Sequence, residues 1–206
     1  MKIVAISDIH GNYEVLKKLP EYDLLIIAGD ITNFSPAEIT DKVFEIVKKP
    51  LLAVPGNCDP IAVLKKLENR NVSLHGNAKI INNIGFFGCG GANGFIAGLG
   101  FTEEEIREIL NRGFEKIPDG VPKVLVSHAP PYGYCDRIAI GEHVGSIAVA
   151  EFIGNVDLII CGHIHEARGV EKEKGTVIVN GGFGEKGEFA EIEFVDVKFD
   201  VKLNKL

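Results

Sequence analysis

Metal-binding side chains recur along this chain, each one directly after an apolar run with the length of a β-strand. They are Asp8 and His10 in an Asp-x-His triplet, Asp30 after a glycine, Asn57 in Gly-Asn-Cys-Asp, His128 after a serine, and His163 with His165 in Gly-His-Ile-His. Each motif alone is weak, because Asp, Asn and His are also common as helix caps, turn residues and structural groups. In open α/β sheets, however, ligands bind beyond the carboxyl ends of the strands. The recurrence of such turns at one sheet edge therefore predicts a metal site.

The types and spacing of these residues indicate which ions they would bind. Residues at i and i+2 of an extended chain point the same way, so Asp8 and His10 can reach one ion. The carboxylate of Asp30 has two oxygens and can bridge two ions. His163 and His165 are the most specific single motif, because imidazole is the commonest metal-binding side chain. The mixed carboxylate, imidazole and amide set favours Mn²⁺, Fe, Ni²⁺ or Zn²⁺ over a soft thiolate site.

The elements that must position these groups alternate between strand and helix. Apolar runs rich in β-branched residues predict buried strands at 2–7, 23–28, 51–54, 84–88, 123–127 and 156–161. Helical patterns lie between them, at 14–19, 36–49, 59–69 and 102–112. The C-terminal part predicts a strand at 176–180, a glycine-rich turn and one long alternating strand from 188. No linker, repeat or low-complexity segment divides the chain, so a single domain over 1–206 is expected.

Candidate capping residues mark the ends of these helices. Ser35 and Asp59 are predicted N-caps of the second and third helices. Thr102 and Glu105 have the spacing of a capping box, and Gly113 is expected to end that last helix.

A glycine-rich stretch, Gly-Cys-Gly-Gly-Ala-Asn-Gly at 88–94, follows a predicted strand. It lacks the Gly-Lys-Ser/Thr ending of a nucleotide-binding P-loop, which is therefore rejected. Two interpretations stay open, and they are compatible. The glycines serve a loop that needs positive φ or close backbone approach, or the loop faces a substrate.

Composition and charge exclude several classes of partner. The 206 residues, with 46% hydrophobic and 25% charged, have the balance of an ordinary globular domain. The net charge of −7 repels polyanions, so polymeric nucleic acid is not an expected partner. No apolar run is long enough to span a bilayer, and the N-terminal one is too short for a secretory signal. A cytoplasmic location is therefore expected, with the cysteines as free thiols; the sequence favours no particular oligomeric state.

The ordered set of motifs resembles the calcineurin-like metallophosphoesterase superfamily, and the resemblance runs from residue 4 to about residue 182. The stretches that begin at Ser127 and Gly162 also resemble a subgroup of small, single-domain, phosphodiesterase-like members. The resemblance implies an α/β fold, a four-layer α/β/β/α sandwich in which helices flank two mixed β-sheets. It also implies two divalent metal ions, with Asp30 between them. Asp8, His10 and His165 would hold one ion, and Asn57, His128 and His163 the other.

The resemblance implies metal-dependent hydrolysis of phosphate esters by a hydroxide that two metal ions activate, with small phosphodiesters as the expected substrates. No Ser or Cys stands in a recognisable triad, so no protein nucleophile is expected. The alternative enzyme is a phosphomonoesterase. The alternative from another class is a non-catalytic scaffold, similar to a retromer coat subunit of this fold, and the complete ligand set argues against it.

One position departs from the family pattern. Many members have a His where this chain has Cys58, and the resemblance assigns that His to protonation of the leaving oxygen. Three interpretations stay open: the substrates have good leaving groups, another residue such as His143 is the acid, or Cys58 only packs. Substrate contacts are expected from Asn57, from Asn33 shortly after Asp30, and from His143 just before a helical run.

Overall fold

The computed structural model describes residues 1–94, 98–196 and 198–206. The strands are β1 Lys2–Ile6, β2 Leu24–Ala28, β3 Leu51–Val54, β4 Ala78–Ile81, β5 Ile84–Cys89, β6 Ala92–Asn93, β7 Gly100–Phe101, β8 Lys123–Ser127, β9 Leu158–Cys161, β10 Gly169–Glu173, β11 Thr176–Asn180, β12 Glu188–Val195 and β13 Lys198–Lys205. The α-helices are α1 Asp41–Ile46, α2 Ile61–Asn69, α3 Glu103–Phe114 and α4 Ile147–Ala150. Short 3-10 helices cover Tyr13–Lys18, Ala37–Thr40, His165–Ala167 and Gly184–Lys186.

Two large mixed sheets carry the predicted ligands. The first has the order β13-β12-β1-β2-β3, and the second has the order β10-β11-β9-β8-β5-β4. In the first sheet β1, β2 and β3 are parallel, and in the second β5, β8, β9 and β11 are parallel. Antiparallel pairing occurs at one edge of the first sheet, through β12 and β13, and at both edges of the second sheet, through β4 and β10. All strands that precede a predicted ligand therefore end at the same side of their sheet.

The alternation of side chains along β1 shows how the layers stack. Ile3 and Ala5 pack into a core between the two sheets, together with Phe86 and Val126 of the second sheet. Val4 and Ile6, on the other face, pack against helices of the first sheet's outer side. Successive strand residues point to opposite faces, so both faces of β1 are buried.

The second sheet is covered in the same way on its outer face. Phe87 and Leu125 pack there against Ile106 and Leu110 of α3. Each such side chain, when fully buried, contributes roughly 1.5–3 kcal/mol through the hydrophobic effect. The result is helices, sheet, sheet and helices in order, which confirms the predicted four-layer α/β/β/α sandwich.

Every predicted strand exists within a residue or two of its predicted bounds, but the long C-terminal strand was predicted wrongly. The run from 188 forms a hairpin, in which Glu188 of β12 pairs with Lys205 of β13. Asp196 lies between them with φ of 49°, in the left-handed region typical of turns. The alternation continues through the turn, so the pattern alone does not reveal it.

The helix predictions were less accurate at their starts. The segment predicted at 36–49 is a 3-10 helix followed by the short α1, and the one at 14–19 is also a 3-10 helix. Ser35 is not an N-cap, because its hydroxyl donates to the Asn33 carbonyl at 3.3 Å. Asp59 is not one either, because α2 begins at Ile61 and the Asp59 carboxylate binds other groups.

The capping box of α3 is confirmed, but the end of this helix is not where it was predicted. Thr102 Oγ1 accepts from the Glu105 N–H at 3.2 Å, and the Thr102 N–H donates to Glu105 at 2.8 Å. The helix continues through Gly113 to Phe114. A Cβ at Gly113 would lie 3.0 Å from the Cβ of Phe87, so this glycine serves close packing and not termination. Among the described residues, no helix combines the length and the apolar character that a bilayer span requires.

Candidate metal centre

Backbone hydrogen bonds draw together the turns that follow the parallel strands. The Asp8 N–H donates to the Gly29 carbonyl at 3.0 Å, and the His10 N–H donates to the Asp30 carbonyl at 3.0 Å. In the second sheet the Gly162 N–H donates to the His128 carbonyl at 3.1 Å. The first polar residues after these strands thus lie in one place, as the sequence predicts.

Four of the predicted ligands have the left-handed backbone conformation. The φ angles are 56° at Asp8, 44° at His10, 49° at Asp30 and 69° at His163. Non-glycine residues rarely adopt this region, and each such residue costs on the order of 1–3 kcal/mol that the surrounding structure must offset. Such outliers cluster at functional sites.

Glycines beside the ligands leave room for them. A Cβ at Gly29 would lie 2.2 Å from His128 Nδ1, and one at Gly56 would lie 2.0 Å from Asp30 Oδ1. Real Cβ atoms do not approach this closely, so only glycine fits at both positions. Close packing therefore explains the glycines in the Gly-Asp and Gly-Asn motifs of the sequence.

One group of ligand atoms comes from Asp8, His10 and His165, and these atoms lie within 4.8 Å of one another. Asp8 is completely buried, and its Oδ1 has no hydrogen-bond partner among the described residues although His165 Nε2 lies 3.2 Å away. The buried His10 Nδ1 is also without a partner there. Burial alone would raise the pKa of Asp8, but His165 and the charge of His128 outweigh it and hold the pKa below its usual value.

A second group comes from Asp8, Asp30 and His128, within the same 4.8 Å limit. His128 Nδ1 lies 2.8 Å from the Ala28 carbonyl, to which it donates, so in the neutral ring Nε2 is an acceptor. That Nε2 lies 2.9 Å from Asn57 Oδ1, another acceptor. Two acceptors at this distance need a proton or a cation between them. Burial opposes the proton, but the charges of Asp30 and Asp8 outweigh burial and raise the pKa of His128.

His163 completes the set on the second sheet. Its ring centroid lies 5.0 Å from that of His128. The backbone N–H of His163 donates to Asp8 Oδ2 at 3.0 Å. Burial and the neighbouring charge of His128 lower the pKa of His163 to about 4. A neutral imidazole is the form that binds metal. The unpartnered Asp8 oxygen, the facing acceptors and the mixed donor set fit divalent cations.

Sequence reasoning missed the function of Asp59. This buried carboxylate accepts from the Gly56 N–H at 2.8 Å, the Ile31 N–H at 3.0 Å, and the Thr32 N–H at 2.7 Å. It therefore ties the turn of Asp30 to the turn of Asn57. An acidic residue two positions after the candidate ligand was visible in the sequence, but it was assigned to a helix cap.

Two further residues that sequence reasoning missed hold the second sheet's histidines. Asn180, completely buried at the end of β11, donates to the Ile164 carbonyl at 2.9 Å. The Phe183 ring stacks on His165 with ring centroids 4.0 Å apart and an interplanar angle of 12°. Asn180 had the same signal as the ligands, a polar residue at the end of an apolar strand.

A comparison with protein families shows to which family this chain belongs. The family model described as calcineurin-like phosphoesterase matches residues 1–167. The chain belongs to the calcineurin-like phosphoesterase family. Membership and the clustered Asp and His residues support metal-dependent hydrolysis of phosphate esters in general.

One relative and two solved structures are similar to most of this chain. An uncharacterised protein of Methanocaldococcus jannaschii is 36% identical in an alignment of 193 positions that covers 87% of this chain and 87% of that protein. Among solved structures, TT1561 of Thermus thermophilus matches with a TM-score of 0.74 and 20% identity, over 98% of this chain and 97% of that one. A dimetal phosphatase from Danio rerio matches with a TM-score of 0.65 and 12% identity, over 100% of this chain and 96% of that one. At these identities the two structures show a shared fold.

Cys58, which stands where the family resemblance implies a His, lies beside the predicted ligands. Its thiol can join His10 and Asp30 in a third group of ligand atoms, and its N–H donates to Asp30 Oδ1 at 2.8 Å. Burial and the negative charge of Asp30 raise the pKa of the Cys58 thiol. The thiol is therefore neutral near pH 7 in the metal-free protein. All four cysteines are free.

The other two predicted substrate contacts, Asn33 and His143, have hydrogen-bond partners outside the predicted ligand set. Asn33 is exposed, and its backbone carbonyl accepts from the Ser35 hydroxyl in the same loop. His143 Nδ1 lies 2.5 Å from the buried Asp136 carboxylate, and its Nε2 lies 3.0 Å from Arg137. Within the described ranges neither side chain forms a hydrogen bond with a predicted ligand.

Proposed function

We propose that this protein hydrolyses small phosphodiesters at a centre of two divalent metal ions. The observation that carries the proposal is the buried Asp8 carboxylate, whose Oδ1 lacks a hydrogen-bond partner within the described residues while His10 and His165 ligand atoms lie around it. A buried carboxylate oxygen without a partner is costly unless a cation occupies the site. Membership of the family supplies the reaction class.

Seven residues would hold the two ions. Asp30, which lies next to His10 and to His128, would contribute to both ions. The group of Asp8, His10 and His165 supports the first ligand set, and His128 shares another group with Asp30 and Asp8. One ion would take Asp8, His10 and His165, and the other Asn57, His128 and His163. Bound divalent ions supply Lewis acidity and lower the pKa of a coordinated water to about 7.

The chain's own groups orient the reactants around the ions. The Ala28 carbonyl fixes the His128 ring through Nδ1, which leaves Nε2 directed at the site. The Asn57 amide carries N–H donors that can stabilise charge on a phosphoryl oxygen. Asp8, with its lowered pKa, stays ionised at neutral pH.

The preference for phosphodiesters rests on the resemblance to the phosphodiesterase-like subgroup, whereas Cys58 determines which leaving groups are favoured. A neutral thiol with a raised pKa is a poor acid toward an oxygen leaving group. The leaving group then departs largely without a proton. Substrates whose leaving groups are stable as anions are therefore favoured, and simple alkyl phosphomonoesters are disfavoured.

The test compares two esters with the same chromophore. Metal-free protein is supplied with Mn²⁺, Ni²⁺ or Zn²⁺, and kcat/KM is measured for bis-p-nitrophenyl phosphate and for p-nitrophenyl phosphate. We expect the diester to be the better substrate. A preference for the monoester would reverse the substrate class while leaving the metal centre intact.

The variant His163→Ala tests the centre itself. We expect it to lose activity and to retain less metal, because one ion loses a neutral imidazole ligand. His75→Gln is the matched control, since His75 lies outside the ligand groups and its Nδ1 accepts from the Gly90 N–H at 3.0 Å. A wild-type protein that binds no divalent metal and hydrolyses neither ester would instead support a scaffold.

A further inference from the structure

Phe34 combines strain with exposure at the edge of the candidate metal centre. Its φ angle is 52°, and it is the only large apolar side chain among the non-glycine residues of positive φ in the described ranges. For a bulky residue this conformation is a genuine outlier, which Gly or Asn would adopt more easily. The residue is nevertheless 54% exposed, so it adds little to the core.

The surroundings of Phe34 place it next to two site residues. Its N–H donates to the Cys58 carbonyl at 2.9 Å. Its ring atom Cε1 lies 3.2 Å from the position that a Cβ at Gly98 would take, and that position is 1.7 Å from the Asn57 carbonyl oxygen. The Leu99 N–H donates to the same carbonyl at 3.0 Å. The ring and the segment 98–99 therefore flank the turn that holds Asn57 and Cys58.

We propose that Phe34 is a specificity-determining residue whose ring contacts the organic group of the substrate, and that this group is flat and aromatic. The inference rests on the proposed hydrolysis of phosphodiesters. Strained backbone and an exposed aromatic ring contribute nothing to stability, and residues of this kind cluster where a ligand binds. An aromatic face attracts another ring through offset or edge contacts, in addition to the apolar area that becomes buried.

The contact would act on the part of the ester that does not leave. A diester with one aromatic and one small substituent presents its phosphorus to the ions in the same way as a diester with two aromatic substituents. The two substrates also differ in intrinsic reactivity, but that difference is the same for wild type and variant and cancels when their ratios are compared. Discrimination by Phe34 should therefore appear in the ratio of their kcat/KM values.

The experiment uses two diesters that release the same p-nitrophenolate. Bis-p-nitrophenyl phosphate retains an aromatic group, and methyl p-nitrophenyl phosphate retains a methyl group. Phe34→Ala is expected to lower the ratio of kcat/KM for the first over the second by roughly tenfold, the effect of one lost aromatic contact and its buried area. Phe34→Leu, which keeps apolar bulk and removes the flat face, is expected to lower the same ratio by a smaller factor.

Val195→Ala is the matched control, because Val195 is 57% exposed and lies on the strand end that pairs with the start of β1, away from the ligands. Its ratio is expected to equal that of the wild type. An equal fall for both diesters in Phe34→Ala and in Phe34→Leu, or no change in either, would overturn the proposal. If wild-type protein with metal hydrolyses neither diester, the proposed function fails first and the inference falls with it.

Discussion

Single buried groups decide how the candidate centre is held. Asp59 binds the backbone of two turns, and its partners are N–H groups that lie in the interior beside it. The energetic asymmetry of hydrogen bonds makes such a group important: a made bond contributes about 1 kcal/mol, whereas a buried donor left without a partner costs about 1–3 kcal/mol. The position of Asn57 therefore depends on a residue outside the proposed ligand set.

Asp59→Asn tests this dependence. The substituted amide keeps the shape but has one acceptor oxygen in place of two, so at least one of the Gly56, Ile31 and Thr32 N–H groups loses its partner. We expect the free energy of unfolding to fall by about 1–3 kcal/mol, together with weaker metal binding. Thermal denaturation and metal titration measure both. Asp23→Asn is the control, because Asp23 is exposed and accepts from the Lys2 N–H at 2.7 Å; an equal loss in both variants would contradict the account.

His75 gives a pH-dependent prediction at the same scale. Burial and the charge of Arg112 lower the pKa of His75 to about 4. The pKa of His75 is lower in the folded state than the unfolded value of about 6.5. The free energy of unfolding therefore has its full value above pH 6.5 and decreases as pH falls toward 4. One proton taken up on unfolding gives a slope of up to about 1.4 kcal/mol per pH unit.

The measurement is the free energy of unfolding of wild type and His75→Gln between pH 4 and 7. We expect the wild type to lose stability with falling pH more steeply than the variant. Loss of metal in acid affects both proteins equally and cancels in the difference. Identical slopes would show that His75 does not resist protonation in the folded protein.

Helix α3 shows how packing overrides local preference at the scale of an element. Its capping box was readable from Thr102 and Glu105, because that signal depends on residues three positions apart. The end at Phe114 was not readable, because Gly113 is set by Phe87, a residue far away in the sequence. Strand positions were predicted well because each buried strand is a continuous apolar run, which is a local signal. The short helices at 37–46 were predicted less well.

Gly113→Ala separates the effect of helix propensity from the effect of packing. In an open helix the change would stabilise by roughly 1 kcal/mol, but here the added Cβ would lie 2.9 Å from the Asn77 carbonyl and 3.0 Å from the Cβ of Phe87. Overpacking of this kind costs about 1–3 kcal/mol, so we expect net destabilisation in a urea unfolding curve. Asn111→Ala, on the exposed face of the same helix, should be neutral or stabilising. A more stable Gly113→Ala would contradict this packing.

At the scale of the molecule, the two sheets bring together groups that are far apart in sequence. Asp8 and His165 meet because β1 and β9 end at the same side of the sandwich. The order of strand-end motifs predicted this meeting, since parallel strands share an edge, and the family resemblance implied the four-layer fold. It did not predict that Asn33 and His143 make no hydrogen bond to the described ligands, because loop positions have no such register.

Hydrolysis of bis-p-nitrophenyl phosphate during a Mn²⁺ titration of metal-free protein tests directly whether two metal ions per chain support the activity. The proposed centre has three side chains for each ion and the shared Asp30. We expect the rate to rise with bound Mn²⁺ and to reach its plateau at two ions per chain, and we expect His163→Ala to stay near the background rate. A rate that is independent of bound metal, or a plateau at one ion, would contradict a catalytic centre of two metal ions.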